Sequence, residues 1–325
     1  MEEVVREPMR VRPRRARAAR LAVVVAVVFA AGTAMRLGGL EAGVLLVPLV
    51  SFTPYFGVAA LVALACAFWA RSRAAVAVLL VVCVCLAWLV LPRAVAGEPP
   101  AEGRPLRLLT ANLNGGRGDA QVVVDLVRKL DVDVFSVQEL TWSARDRLAA
   151  AGLEELLPYE ITQPMPRGPE GSGVYARYPL RERSGLFRPV GHHMPVAQVS
   201  LPGGSAVEVV VVHPVAPVPS TVDEWEAGIA TLPPAPSDGP PRILAGDFNA
   251  TLDHVVFRRL LGTGYTDAAA ATGHGLTPTW PMRLLPPLVT IDHVLTDERA
   301  GAVATQVYDI PGSDHRALFA DLRVQ

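Results

Sequence analysis

The chain has 325 residues, is 51% hydrophobic and carries a formal net charge of −1. That sum conceals two unlike parts: residues 1–97 hold 11 Lys/Arg and 4 Asp/Glu, whereas residues 98–325 hold 19 and 27, a net of −8. An acidic second part offers no cheap basic face for long nucleic acid. The three cysteines, Cys66, Cys83 and Cys85, all lie in the apolar part, so neither a disulfide framework nor a cysteine metal site is open to the rest.

Residues 1–20 form a basic N-terminus with Arg6, Arg10, Arg12, Arg14, Arg15, Arg17 and Arg20. Residues 21–95 read as a transmembrane region of about three helices. Leu21 to about Leu40 is apolar apart from Arg36, and Ala74–Leu91 is free of charge. Between them, a long apolar stretch containing Pro48 and Pro54 reads as a kinked span with an interfacial lead-in, or as two short re-entrant pieces. A cleaved signal peptide over residues 1–34 is the competing reading, and two further apolar segments favour an anchor. Lys and Arg concentrate on the cytoplasmic side of membranes. Arg71 and Arg73 join the N-terminal arginines there only if the chain crosses three times, which puts the C-terminal domain outside the cytoplasmic membrane.

A Gly/Pro/Glu-rich linker covers 96–105, and the domain 106–325 then alternates strands and helices. Strands are expected at Leu106–Leu113, Val132–Gln138, Gly173–Ala176, Val196–Leu201, Val207–His213, Arg242–Ala245, Thr290–Leu295, Val303–Tyr308 and Leu318–Leu322. Helices are expected at Asp119–Leu130, Ser143–Ala151, Val222–Leu232 and His254–Leu261. The pattern implies α/β layers around stacked sheets.

Polar residues recur where apolar strands end. Asn112, Gln138-Glu139 and His213 each follow such a run, as does Gly246-Asp247-Phe248-Asn249. The last stretch reads equally as a site, with Asp247 and Asn249 aimed at one target, and as an Asx-type turn. Asp292 sits inside an apolar strand, where a carboxylate needs a partner, a histidine being one candidate. His293 then faces the other way. Ser313-Asp314-His315 precedes the last strand. His254 and His274 read as helix-start and loop residues, and His192-His193 as an ordinary loop doublet, with lining of the site mouth as the lesser reading.

In their joint order these segments resemble the endonuclease/exonuclease/phosphatase superfamily over about residues 105–325. The resemblance implies a four-layer α/β/β/α sandwich and a divalent metal, Mg2+ with Mn2+ as a substitute, that helps to cleave phosphate esters. It also implies Glu139 as the principal metal ligand, with Asn112 and Asp314 assisting. Asp247 then orients and deprotonates water, Asn249 holds that carboxylate or the phosphate, Asp292 fixes His315, and His213 donates to a phosphate oxygen. Thr290 stands where relatives often carry arginine. The apolar spans together with this domain are similar to membrane proteins of the superfamily linked to teicoplanin resistance. That similarity implies a multi-pass cell-envelope phosphatase acting on undecaprenyl pyrophosphate or another lipid-linked phosphate outside the cytoplasmic membrane. The alternatives are an extracytoplasmic nuclease and a catalytically silent membrane sensor. The apolar loop Trp280–Leu288 either packs in the core or meets lipid.

Overall fold

The structure, a computed structural model, describes residues 12–41, 43–98, 102–284 and 287–325. Arg6, Arg10, the middle of the 96–105 linker and Leu285-Pro286 of the apolar loop lie outside them. Four helices open the chain: α1 (Arg12–Gly38), α2 (Gly43–Val50), α3 (Thr53–Trp69) and α4 (Arg73–Val90). The chain divides into two units, one of Met1–Glu41 with Phe52–Leu91, the other of Ala42–Ser51 with Pro92–Gln325.

In the first unit α1, α3 and α4 meet through small side chains. Ala26, Ala67 and Ala75 are buried with Leu79, and Ala60 with Val82 and Leu86. Short side chains let apolar helices approach closely. Phe29 stacks on Phe56 at 4.6 Å, and a Cβ on Gly32 would lie 2.9 Å from that ring. The larger apolar groups Leu21, Phe68, Val81 and Trp88 point outward, the reverse of a water-soluble bundle. Residues 15–38 and 73–94 are each long and apolar enough to cross a membrane. The helices α2 and α3 are long and apolar enough only as a pair bent at Ser51-Phe52, as a broken span or a re-entrant loop.

The second unit contains two six-stranded sheets. The first is built from β1 (Arg104–Asn112), β2 (Val134–Gln138), β3 (Tyr159–Gln163) and β4 (Ser172–Ala176). The second is built from β5 (Leu180–Glu182), β6 (Val196–Ser200), β7 (Ala206–Val212), β8 (Arg242–Asp247), β9 (Thr266–Asp267) and β10 (Asp292–Thr296). The chain then returns to the first sheet with β11 (Ala300–Asp309) and β12 (Arg316–Val324). The strand orders are β11-β12-β1-β2-β4-β3 and β5-β6-β7-β8-β10-β9. Each sheet has one parallel pair at its centre, β1 with β2 and β7 with β8.

A parallel pair needs a crossover. The helix α5 (Ala120–Lys129) supplies the first, its N-terminus capped by Asp119, which accepts from Gln121 N and Val122 N. After β2 come α6 (Trp142–Ala150) and α7 (Leu153–Leu156); α8 (Val222–Ala230) is the second crossover, followed by α9 (Val255–Leu261) and α10 (Ala268–Ala271).

Side-chain alternation then makes layers. Leu108, Val134, Val209, Val211, Ile243, Ala245 and Val294 fill the space between the sheets. Leu109, Ala111, Phe135 and Val137 point the other way, onto Val123, Val127 and Leu148 of α5 and α6. Val210, Val212 and Leu244 meet Trp225, Ile229, Val256 and Phe257 of α8 and α9. The result is a mixed α/β sandwich with helices on both outer faces. Ser136 Oγ donates to Ala245 O at 2.8 Å and ties one sheet to the other. The strands β3 and β5 escape the sequence pattern because their side chains are half-buried or exposed rather than alternating.

Candidate active site

The parallel pairs put four chain ends on one rim of the sandwich. Asn112 pairs with Gln138 in register, and Val212 with Gly246, so Glu139, His213 and Asp247 emerge together. Antiparallel β10 brings Asp292 opposite Asp247. Close approach explains the glycine of the Gly246–Asn249 stretch: a Cβ on Gly246 would sit 1.9 Å from Val212 O.

Asn112, Glu139, His213, Asp247, Asp292 and His315 meet here. Asn112 Nδ2 donates to Glu139 Oε1 and to Asp247 Oδ2, both at 3.0 Å. Its Oδ1 accepts from Asn114 N at 2.8 Å, which fixes the amide's orientation. Gly115 N holds the second oxygen of Glu139. His213 Nε2 faces Glu139 Oε1 at 3.9 Å and Asp247 Oδ2 at 3.8 Å. His315 Nδ1 lies 3.0 Å from Asp292 Oδ2, and its Nε2 lies 3.6 Å from Asp247 Oδ2. Asp292 thus has the histidine partner that its burial demands.

Asn249 and Asp314 take other positions. The chain leaves β8 at Asp247 and turns through Asn249 at φ 48°, so the two side chains do not share a strand face. The backbone N of Asn249 donates to Asp247 Oδ1 at 2.8 Å, while its side-chain amide donates to Pro214 O at 3.1 Å. Asp314 is half-buried at the rim, its Oδ2 accepting from Trp280 Nε1 at 3.3 Å. Among the described residues, the three-donor acidic and histidine cluster is Asp247, Asp292 and His315, with donor atoms within 4.8 Å of one another.

Backbone strain concentrates at this rim. Asn114, Glu139 and Asn249 all adopt positive φ, at 52°, 56° and 48°. For a residue such as glutamate this costs of order 1–3 kcal/mol. The hydrogen bonds to Glu139 from Asn112 and Gly115 hold it there.

Three residues outside the expected set support the site. His192 lays its ring against His213, centroids 4.5 Å apart. Ser313 Oγ donates to Asn112 O at 2.7 Å and accepts from His315 N at 3.0 Å, joining the two sides. Gln138 forms a buried floor, its Nε2 donating to Ser136 Oγ at 3.0 Å and Thr110 Oγ at 3.2 Å. The His192-His193 doublet was the only sequence signal for the first of these.

The electrostatics separate the titratable groups. Burial pushes the Asp247 carboxyl up, to about 7, with Asp292 adding and the charge on His315 opposing. Burial disfavours charge on His315 too, but the carboxylates of Asp292 and Asp247 outweigh it and raise the imidazole to about 10. His213 is driven well below its ordinary range by burial and then by His192 and His315. Hence at neutral pH His315 is an imidazolium, His213 is neutral, and Asp247 sits near its titration point.

The carboxylates of Glu139 and Asp247 suit a hard divalent cation; Asn112 turns its Nδ2 toward both, its Oδ1 being taken by Asn114 N, so its amide would have to flip to offer an oxygen. Glu139, constrained in a strained backbone and still partly open, is the donor best prepared for the cation. The charged His315 is not available as a ligand; it acts as counter-ion to Asp247 and Asp292.

The family described as the Endonuclease/Exonuclease/phosphatase family matches residues 109–315. Among curated proteins none matches. Solved structures share the fold. An endonuclease/exonuclease/phosphatase from Beutenbergia cavernae DSM 12333 has TM-score 0.52 and 18% identity over 68% of this chain and 72% of that one. A humanized D. rerio TDP2 has TM-score 0.53 and 15% identity over 68% and 99%. Truncated Caenorhabditis elegans TDP2 has TM-score 0.53 and 16% identity over 69% and 99%. The chain belongs to the endonuclease/exonuclease/phosphatase family, whose members are metal-dependent phosphodiesterases, phosphatases and nucleases.

Proposed function

We propose that this phosphoesterase hydrolyses a lipid-linked phosphate or pyrophosphate, of the undecaprenyl pyrophosphate type, outside the cytoplasmic membrane. The observation that carries this reading is the joining of an acidic catalytic unit to helices long and apolar enough to span a membrane. Tethering to a bilayer raises the effective concentration of a substrate confined to it. The exposed Trp280, its ring centroid 6.4 Å from that of His315, and the exposed Leu284 of the same loop add apolar surface fit for a lipid chain. A lipid phosphatase of this kind belongs to the cell envelope and fits the teicoplanin-resistance resemblance.

The residues divide the work as follows. Glu139 would hold Mg2+, or Mn2+ as a workable substitute, with Asp314 assisting from the rim and Asn112 assisting through water or by a flipped amide. The ion would supply neutralisation of phosphate charge. Asp247 is the general base and His315 its positive partner, because His315 lies between the carboxylates of Asp292 and Asp247, which favour its protonated form and leave it no free lone pair to accept with. His315 gives its positive charge to the phosphate, and Asp292 keeps its ring in place. The neutral His213 donates a hydrogen bond to a phosphate oxygen. Asn249 holds Asp247 through its backbone N–H.

A second reading, cleavage of nucleic acid, is favoured by one likeness. D. rerio TDP2 complexed with single strand DNA product has TM-score 0.51 and 15% identity, covering 68% of this chain and 99% of that one. The net charge of −8 opposes it. The test is phosphate release by full-length protein in detergent with Mg2+. Undecaprenyl pyrophosphate, a soluble diphosphate, a phosphodiester lipid and plasmid DNA are compared, with Asp247→Ala as control. Turnover of the lipid pyrophosphate by the parent but not by the control is expected. DNA nicking without lipid turnover would reverse the ranking.

A further inference from the structure

The helix α2 (Gly43–Val50) is eight residues long, apolar and free of charged side chains. In sequence it lies between two segments of the first unit, yet it folds with the catalytic unit. Its inward side chain is Val47, 3% exposed, in one core with Trp225, Ile229 and Val256. Val47 O belongs to the last turn, whose carbonyls lack helical partners, and it lies 3.0 Å from His254 Nε2. His254 Nδ1 accepts from Thr251 N at 2.8 Å, so Nε2 carries the proton and donates to Val47.

The neighbouring Asp253, itself buried, grips Arg93 with both oxygens at 2.6 and 2.7 Å. The four residues that follow the Asp247–Ala250 turn therefore hold two segments that adjoin the apolar helices. A buried bidentate ion pair and a buried histidine cap fix both segments to the catalytic unit.

Among the described residues, α2 keeps large apolar side chains exposed on its outward face. Leu45 is 79% exposed, Leu49 63% and Val44 42%. Leu45 and Leu49 lie one turn apart on the same side. The chain continues from α2 directly into the apolar α3. Two leucines and a valine held outward on a helix fixed to the catalytic unit, and continuous in sequence with span-length helices, call for lipid rather than water.

We propose that the Val44, Leu45 and Leu49 face of α2 lies in the surface layer of the bilayer, so that the catalytic unit rests on the membrane through a helix of its own. This rests on reading the first unit's helices as spans and is independent of the substrate.

The test uses full-length protein with Cys66, Cys83 and Cys85 changed to Ala, its folding checked by circular dichroism, in phosphatidylethanolamine/phosphatidylglycerol vesicles. Leu45→Cys, Leu49→Cys and, as reference, Glu182→Cys at the exposed β5 each carry a fluorophore. Each is quenched either by a nitroxide on the upper acyl chain or by aqueous iodide. The labels at 45 and 49 should be quenched several-fold more by the nitroxide than the label at 182, with the order reversed for iodide. Iodide quenching at 45 and 49 equal to that at 182, without nitroxide quenching, overturns the proposal. Shielding from both quenchers also overturns it, because a protein cover is then indicated. Neither readout requires turnover, so a wrong substrate assignment leaves the result standing.

Discussion

Asp292 and His293 are neighbours on β10, and each makes a histidine–carboxylate pair, one on either side of the strand. On one side Asp292 holds His315 Nδ1 at 3.0 Å. On the other, His293 Nδ1 meets Asp267 Oδ2 at 2.8 Å. Both pairs are buried, and both imidazoles are raised above the ordinary histidine range. The difference lies in the second nitrogen. His293 Nε2 is consumed by Ala250 O at 2.9 Å, whereas His315 Nε2 has only the longer 3.6 Å approach to Asp247. A histidine–aspartate pair is therefore not in itself a catalytic signature. What marks the working member is an uncommitted nitrogen on a rim shared with other ionisable groups.

The comparison breaks cleanly under mutation. His315→Ala should lower kcat by roughly 10²–10⁴-fold, the range for losing a group that acts in the transition state, as read in a steady-state assay with saturating metal. A smaller drop would mean that the free nitrogen is idle. His293→Ala should do the opposite. It leaves Asp267 buried without its partner and should cost about 3–5 kcal/mol of stability, measured by urea unfolding, while kcat per folded molecule stays near the parent's. Equal damage to turnover and stability from both would erase the distinction.

A subtler expectation concerns pH. Both imidazoles have folded values above 6.5, so the folded state keeps protons that the unfolded chain releases. Their stabilisation is fully present below pH 6.5 and is lost as pH rises, the share of His315 through about pH 10. In chelator, the thermal midpoint should fall across that window, and His293→Gln should shallow the fall. A flat midpoint would show that neither pair is charged.

The turn at Asp247 shows how much of this was readable from sequence. A site and an Asx-type turn stood as rivals, yet the backbone bond from Asn249 N to Asp247 Oδ1 is the turn, and that bond also orients the reactive carboxylate. The partner of Asp292 was legible because a carboxylate inside an apolar strand must be neutralised, and period-two alternation sends His293 to the far side. The opposing directions of Asn249 and Asp247 were not legible, because the i, i+2 reading carried the strand past Asp247, where it ends, and an asparagine permits the positive φ that follows without requiring it. Nor was the placing of α2. Its composition speaks only of apolarity, while the groups that capture it, Trp225 and His254, lie some 180 to 210 positions downstream. His192 illustrates the same limit. A loop histidine becomes part of the site only through the ring it rests on, His213.

Glu139 carries a last consequence. Its backbone lies where glycine or asparagine sits at ease, and the position is occupied instead by a longer acid, the donor proposed to lead the metal site. Shape and chemistry thus make opposite demands on one residue. A replacement that satisfies the backbone, Glu139→Gly, would relax the fold by relieving a strain of order 1 kcal/mol while emptying the site of its leading donor. The protein keeps a locally uncomfortable residue at the point where comfort and turnover exclude each other.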